Sequence, residues 1–207
     1  MSRKNTKTTT YSLDWDVIVN LESRLLRDFN SLKSPEKARE LLMISIGARL
    51  GLRVIDNLHL KWSDLMDLQP GERFVRLEKK TNKERILVMS TRLREVLDIV
   101  ISELEPDPAH YIFSSQKGRG RKPMTVQTFN RILKDIMALH RIRYIGHCSS
   151  HLLRKSFVVG SIRKGFEDGD HLSLVKVSRL IGHSSVSVTL KYTNFETVSA
   201  LGLYELR

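Results

Sequence analysis

Apolar residues recur at helical spacing over most of the chain. From Ser12 to Asn30, the series Val17, Ile18, Leu21, Leu25 and Phe29 traces one face of an amphipathic helix. Ser34-Pro35-Glu36 is a helix start. It supplies a hydroxyl to cap free N–H groups, a proline where no donor is needed, and an acid at the positive end of the dipole. The helix it opens carries Ala38, Leu41, Leu42, Ile44 and Ala48, and Gly51 is expected to end it in a left-handed turn. A short helix from Val54 to Leu60 should follow. Thr91 is read as the cap of a helix reaching Leu104, which Pro106 and Pro108 then halt. Thr125 to Arg141 is again helical, with Phe129, Ile132, Leu133, Ile136 and Met137 on one face. Ser150 is read as the cap of a helix from His151 to Lys164, with shorter helices at Ser173–Ile181 and Ser185–Tyr192.

The period changes in two places. Arg73–Glu78 and Arg85–Val88 run as short strands around Thr81-Asn82-Lys83-Glu84, which predicts a hairpin with a basic tip. Tyr111-Ile112-Phe113 is expected to form a further brief strand. The fold class is therefore mainly α with a small antiparallel β-sheet, an α+β domain. No internal repeat and no long linker divides it. Residues 1–33 read as a flexible lead-in and a short helix, 34–192 as the main domain, and 193–207 as a tail. Phe195, Val198, Leu201, Leu203 and Tyr204 give that tail a roughly helical apolar spacing.

Charge adds a partner class. The 207 residues carry 35 Lys plus Arg against 23 Asp plus Glu, a net charge of +12 spread along the whole length. Such a balance favours a folded protein with a face for a polyanion over a globule with one basic arm. Gln116-Lys117-Gly118-Arg119-Gly120-Arg121-Lys122-Pro123 is the densest basic stretch, a glycine-rich loop. The single cysteine, Cys148, fits a reducing compartment and a packing role. His147 and His151 flank it, but no second cysteine or carboxylate pair lies close by, so no metal site is expected. No apolar run approaches the ~18 residues of a membrane span, and a cytoplasmic protein is expected.

Candidate chemistry gathers late in the chain. His151 and Arg154 lie three residues apart and so share one helix face. Taken alone, that pair also suits an ordinary solvated face. In Leu180-Ile181-Gly182-His183-Ser184-Ser185, glycine ends one helix, a serine caps the next, and His183 is held in the turn between them. Tyr192 follows nine residues later. A tyrosine there more often packs in a core, but a phenol is also a nucleophile towards phosphodiesters.

Together, His151-x-x-Arg154, Leu180-Ile181-Gly182-His183-Ser184 and Tyr192 resemble the second half of the tyrosine recombinase (phage integrase) family. The segment Ala48-Arg49-Leu50-Gly51-Leu52-Arg53-Val54-Ile55-Asp56 is similar to the one holding that family's first arginine, which falls on Arg53, with Asp56 as the supporting acid. The family's hairpin lysine falls on Lys80, with Lys79 and Lys83 as rivals. The likeness runs from about Ser34 to Tyr192. Lys155 stands where many members have His, Ser or Thr, and is expected to add a phosphate contact. Most members also carry an N-terminal clamp domain; the layout here is similar to the short invertases of fimbrial switches.

The resemblance implies a site-specific DNA recombinase that cuts and rejoins DNA through a 3′-phosphotyrosine. Tyr192 would attack, His151 serve as base, and Arg53, Arg154 and His183 bind the phosphate. Lys80 would protonate the leaving 5′-oxygen. It implies no cofactor, because two arginines supply the charge that Mg²⁺ supplies elsewhere. The implied partners are double-stranded DNA, a homotetramer assembled on it through tails docking in trans, and accessory DNA-bending proteins. Lys83, Lys117, Arg119, Arg121, Lys122 and Lys155 are the expected DNA contacts. A type IB topoisomerase-like enzyme and a catalytically silent DNA-binding protein of the same fold are the alternatives.

Overall fold

The computed structural model describes residues 10–193. Among them lie eight α-helices: α1 (Trp15–Leu32), α2 (Pro35–Leu50), α3 (Val54–Leu58), α4 (Thr91–Leu104), α5 (Val126–Leu139), α6 (His151–Glu167), α7 (Ser173–Leu180) and α8 (Val186–Thr193). β1 (Arg73–Leu77) and β2 (Glu84–Val88) pair antiparallel, with Val75 opposite Ile86. The fold is thus mainly helical with one small antiparallel sheet.

α2 is the centre of the packing. It buries Leu41, Leu42, Met43, Ile44, Ser45 and Ile46 in succession, so every side of it is covered, as befits an interior helix. α1, α3, α4, α5 and α6 all lie against it. Ser34 Oγ accepts from the Lys37 N–H at 3.3 Å and opens the helix. Gly51 closes it at φ +54°, and a Cβ there would meet Phe157 Cδ1 at 2.2 Å. Both the backbone conformation and the space require glycine.

α1 shares this core through Ile18, Leu21, Leu25 and Phe29, although the sequence sets it in the 1–33 lead-in. Its Glu22, only 1% exposed, receives Arg49 Nη2 at 2.5 Å, Ser45 Oγ at 2.6 Å and Arg92 Nε at 3.3 Å. Burial pushes the Glu22 carboxyl up, but the bonds from Arg49 and Ser45 outweigh it and hold the group below its usual value. The tail helix expected over Phe195–Tyr204 lies outside the described residues.

Local details differ from the expected ones. Ser90 caps α4, accepting from the Leu93 N–H at 3.3 Å, and Thr91 is already helical. Ser150 makes no side-chain cap; its N–H donates to Asn130 Oδ1 at 2.9 Å. Where a strand is expected over 111–113, only Tyr111 is bridged, to Lys61, and Ser114 just beyond makes a second isolated bridge with Pro123. The hairpin turns Arg85 and Leu87 inward and leaves Val75, Leu77, Ile86 and Val88 half exposed. No described helix is long and apolar enough to cross a membrane.

Candidate active site

The site is built around the C-terminal end of α2. Last-turn carbonyls of a helix lack internal partners and carry the negative end of its dipole, so they attract cations. Arg154, 4% exposed, donates from Nη1 to the Gly51 carbonyl at 2.7 Å and from Nη2 to the Ile181 carbonyl at 2.9 Å. Arg85 donates from Nη1 to Gly51 at 3.1 Å and from Nη2 to Leu50 at 3.1 Å. Arg53 precedes α3 in extended conformation, and its guanidinium pairs with the buried Glu78 carboxylate. Glu78 also accepts from Thr81 Oγ1 at 2.7 Å and lies 3.9 Å from Arg85 Nη1.

The balance of charge here is positive. Burial, opposed by bonds from Thr81 and Arg53, leaves Glu78 below the ordinary carboxylate range, so it is ionised at neutral pH. Two buried carboxylates, Glu78 and Asp56, then face the three guanidinium groups of Arg53, Arg85 and Arg154. Desolvation first, and the charge of Arg154 second, lower Arg85 to about 10; burial likewise lowers Arg154. Like charges crowded beneath a pocket are stabilised by an arriving anion.

Asp56, 2% exposed, fixes the hairpin to this floor by accepting from the Lys79 N–H at 2.8 Å. Lys79, Lys80 and Lys83 stand exposed at the hairpin tip. His151 opens α6 at the rim of the pocket. Desolvation, then Arg154, Lys155, Lys80 and Arg53, hold its imidazole below the usual value, which also locates Lys80 within Coulombic reach of it.

The other wall comes from α7, α8 and the turn between them. Gly182 takes φ +72° there, a conformation that suits glycine, and sets His183 on the turn. His183 Nδ1 lies 2.9 Å from the Oγ1 of the fully buried Thr189. Desolvation, Arg154, Arg53 and Arg85 lower His183 to about 4, so it is neutral at pH 7. Its ring meets the Tyr192 ring edge to face, centroids 5.1 Å apart at 79°. The Tyr192 hydroxyl is withdrawn from water and has no well-directed hydrogen bond, but lies within the field of Arg154 and Arg53. Burial raises its pKa and those two cations oppose the rise.

The structure therefore brings together Arg53, Asp56, Lys80, His151, Arg154, His183 and Tyr192, contributed from both ends of the chain. Lys155, expected to add a phosphate contact, is turned inward. It is 7% exposed, with its ammonium 5.0 Å from the centroid of the Tyr192 ring, because α8 folds back over α6 at that point. Lys117, Arg119, Arg121 and Lys122 are exposed on a loop closed by bonds from Tyr111 N–H to the Gly120 carbonyl and from Ser115 N–H to the Lys122 carbonyl, each 2.8 Å. Among the described residues, none of the hydrogen bonds joining the site reaches this loop.

Glu78, Arg85 and Thr189 belong to the site and escaped the sequence reading. Arg85 had a signal: it alternates with Ile86 on a short strand, so one of the two must point inward. Thr189 had none beyond its place on the helix that carries Tyr192.

A family model described as the phage integrase family matches residues 20–197. The tyrosine recombinase XerD of Rickettsia bellii is 31% identical over 174 residues, covering 79% of this chain and 54% of the relative. A TnP I resolvase of Bacillus thuringiensis is 30% identical over 168 residues, covering 79% of this chain and 52% of the relative. This chain thus spans about half the length of these relatives. Among solved structures, XerH recombinase bound to palindromic difH substrate in a post-cleavage complex superposes with TM-score 0.69 at 20% identity, covering 99% of this chain and 55% of that one.

Proposed function

This chain belongs to the phage integrase family of tyrosine recombinases, and from that premise we propose that it is a site-specific recombinase that cuts and rejoins DNA through a 3′-phosphotyrosine. The observation that carries the proposal is the convergence of Arg53, Arg154, His183 and Tyr192 on one cationic pocket, with the phenol out of water beside two guanidinium groups.

In this reading, Tyr192 Oη attacks the scissile phosphorus while the bond to the 5′-oxygen breaks. The phenol is protonated at neutral pH and needs a base. His151 has a lowered pKa, so it stands neutral and able to accept that proton. Arg53 and Arg154 hold the two non-bridging oxygens, where charge grows in the transition state. His183 contributes one N–H: with Thr189 donating to Nδ1, the tautomer protonated on Nε2 can bond the same phosphate. Lys80, on the hairpin tip, returns a proton to the departing 5′-oxygen. The phosphotyrosine conserves the bond, and a 5′-hydroxyl from a second duplex reverses each step. Asp56 keeps the hairpin at working distance through Lys79. None of these steps calls for a cofactor.

The partner is double-stranded DNA, bound by the hairpin tip and by Lys117, Arg119, Arg121 and Lys122, with a homotetramer assembled on two duplexes and bending proteins as accessories. Residues 34–192, with α1 packed against them, form the catalytic unit. The tail from residue 193 is read as its link to a neighbouring copy, and the cytoplasm suits its lone thiol.

A nicked duplex carrying the cognate site tests the reading. Wild type is expected to form a covalent adduct that survives SDS, and Tyr192→Phe none. Release of that adduct by a second duplex distinguishes a recombinase from a topoisomerase-like enzyme. Tight binding without any adduct would replace the proposal with a silent DNA-binding protein.

A further inference from the structure

Lysine is among the residues least often buried, because its ammonium loses water on leaving the surface. Lys155 is nonetheless 7% exposed, and among the described residues it forms no ion pair and no side-chain hydrogen bond. What it does have is the Tyr192 ring, whose centroid lies 5.0 Å from Nζ. Cations within about 6 Å of an aromatic face are attracted by the ring quadrupole, and more strongly when desolvated. His183 holds the same ring from another side, edge to face at 5.1 Å. Two contacts thus restrain a side chain that has only two torsions.

We propose that Lys155 is a positioning residue for Tyr192: seated over the ring, it fixes the angle of the phenol towards the phosphate pocket and favours the ionised oxygen as attack begins. The inference rests on Tyr192 as nucleophile. The restraint matters because bond formation requires the attacking oxygen within about 3–3.5 Å of phosphorus and in line with the leaving group. The charge matters because the phenolate spreads negative charge into the ring that faces the ammonium. The charged and titratable groups facing Tyr192 are Arg154 and Lys155 from α6, Arg53 from the start of α3, and His183 from the α7–α8 turn. Among the described residues, no carboxylate is one of them.

The test compares wild type, Lys155→Met and Lys155→Arg on the nicked duplex, under single-turnover conditions and with binding measured separately against salt. Methionine keeps the length of the chain and removes the charge; arginine keeps a cation able to lie on the ring. Lys155→Met is expected to bind with unchanged affinity and salt slope and to form the adduct about 3- to 30-fold more slowly, the rate equivalent of a cation–π contact. Its rate should reach a plateau at higher pH than wild type, since the phenolate has lost a stabilising charge. Lys155→Arg should restore most of the rate. Lys155→Gln repeats the comparison if the methionine chain melts below the assay temperature. An unchanged adduct rate in the neutral variants would overturn the inference. So would weaker binding with the salt slope reduced by about one, the mark of a direct phosphate contact. Failure of wild type itself to form an adduct would instead remove the nucleophile reading on which the inference stands.

Discussion

The two halves of the candidate site stand on apolar clusters of very different extent. Arg53 and Asp56 are anchored where α2 and α3 join a cluster that runs from α1 through α5 into the first turn of α6. His183 and Tyr192 stand on a separate cluster, made of Val158, Ile162, Val177 and Ile181 with Phe157, Leu174 and Tyr192 packed against it. α6 belongs to both, giving Leu152 and Leu153 to the first and Val158 and Ile162 to the second. Free energies of local opening follow the apolar contacts that must be broken. In the proposed mechanism Arg53 is therefore on the rigid side, and His183 and the attacking Tyr192 are on the side that opens first. Arg154 fastens the two together, with one N–H on the Gly51 carbonyl and another on that of Ile181.

The difference can be broken most directly at that fastening. Arg154→Ala is expected to lower adduct formation by about 10³-fold, since it removes both a phosphate donor and the tie between the clusters. Hydrogen exchange should show α7 and α8 opening more often while α2 and α5 stay protected. Phe129→Ala, by contrast, cuts into the large cluster and should cost about 3–5 kcal/mol of global stability in denaturant melts. The amides of α7 and α8 should exchange as in wild type, because their local opening leaves Phe129 in place.

A third effect depends on pH. Because the folded His183 lies near 4, below its unfolded value, the unfolded chain binds more protons between pH 4 and 6.5. Stability is then complete above about pH 6.5 and is lost as pH falls towards 4, by roughly 1–2 kcal/mol once partial exposure is allowed for. His183→Gln should flatten this slope in melts run across that range. Smallest of all, Ile181→Val should cost about 0.5–1.5 kcal/mol and, unlike Phe129→Ala, should speed exchange in α7 and α8.

Legibility in the sequence follows the same division. Helix ends set by local chemistry, such as Pro35 after Ser34 or Gly51 after Leu50, could be read because the cause lies within a few residues. The hairpin was legible as an element but not in its facing. Hydrophobicity alone does not tell that Arg85 turns inward while Ile86 and Val88 remain half exposed, because Arg85 is held by the carbonyls of Leu50 and Gly51, far back in the sequence. Tyr111-Ile112-Phe113 had the composition of a strand and found no continuous partner. For the site, spacing and residue type brought forward His151, Arg154, His183 and Tyr192, and the family resemblance added Arg53. They could not reveal Glu78 as the partner of Arg53, nor Lys155 turned to the Tyr192 ring, since both depend on how distant helices stack.

The carbonyl of Gly51 accepts Arg154 across 103 residues of chain. A ribosome delivers Arg53, Glu78, Lys80 and Arg85 well before it delivers residue 154, and Tyr192 later still. The nascent chain can therefore lay down the floor of the pocket while it has neither its second clamp nor its nucleophile. In the proposed mechanism the nucleophile is made after every other named member of the site, so a product stalled before residue 192 that met DNA would have nothing with which to break it.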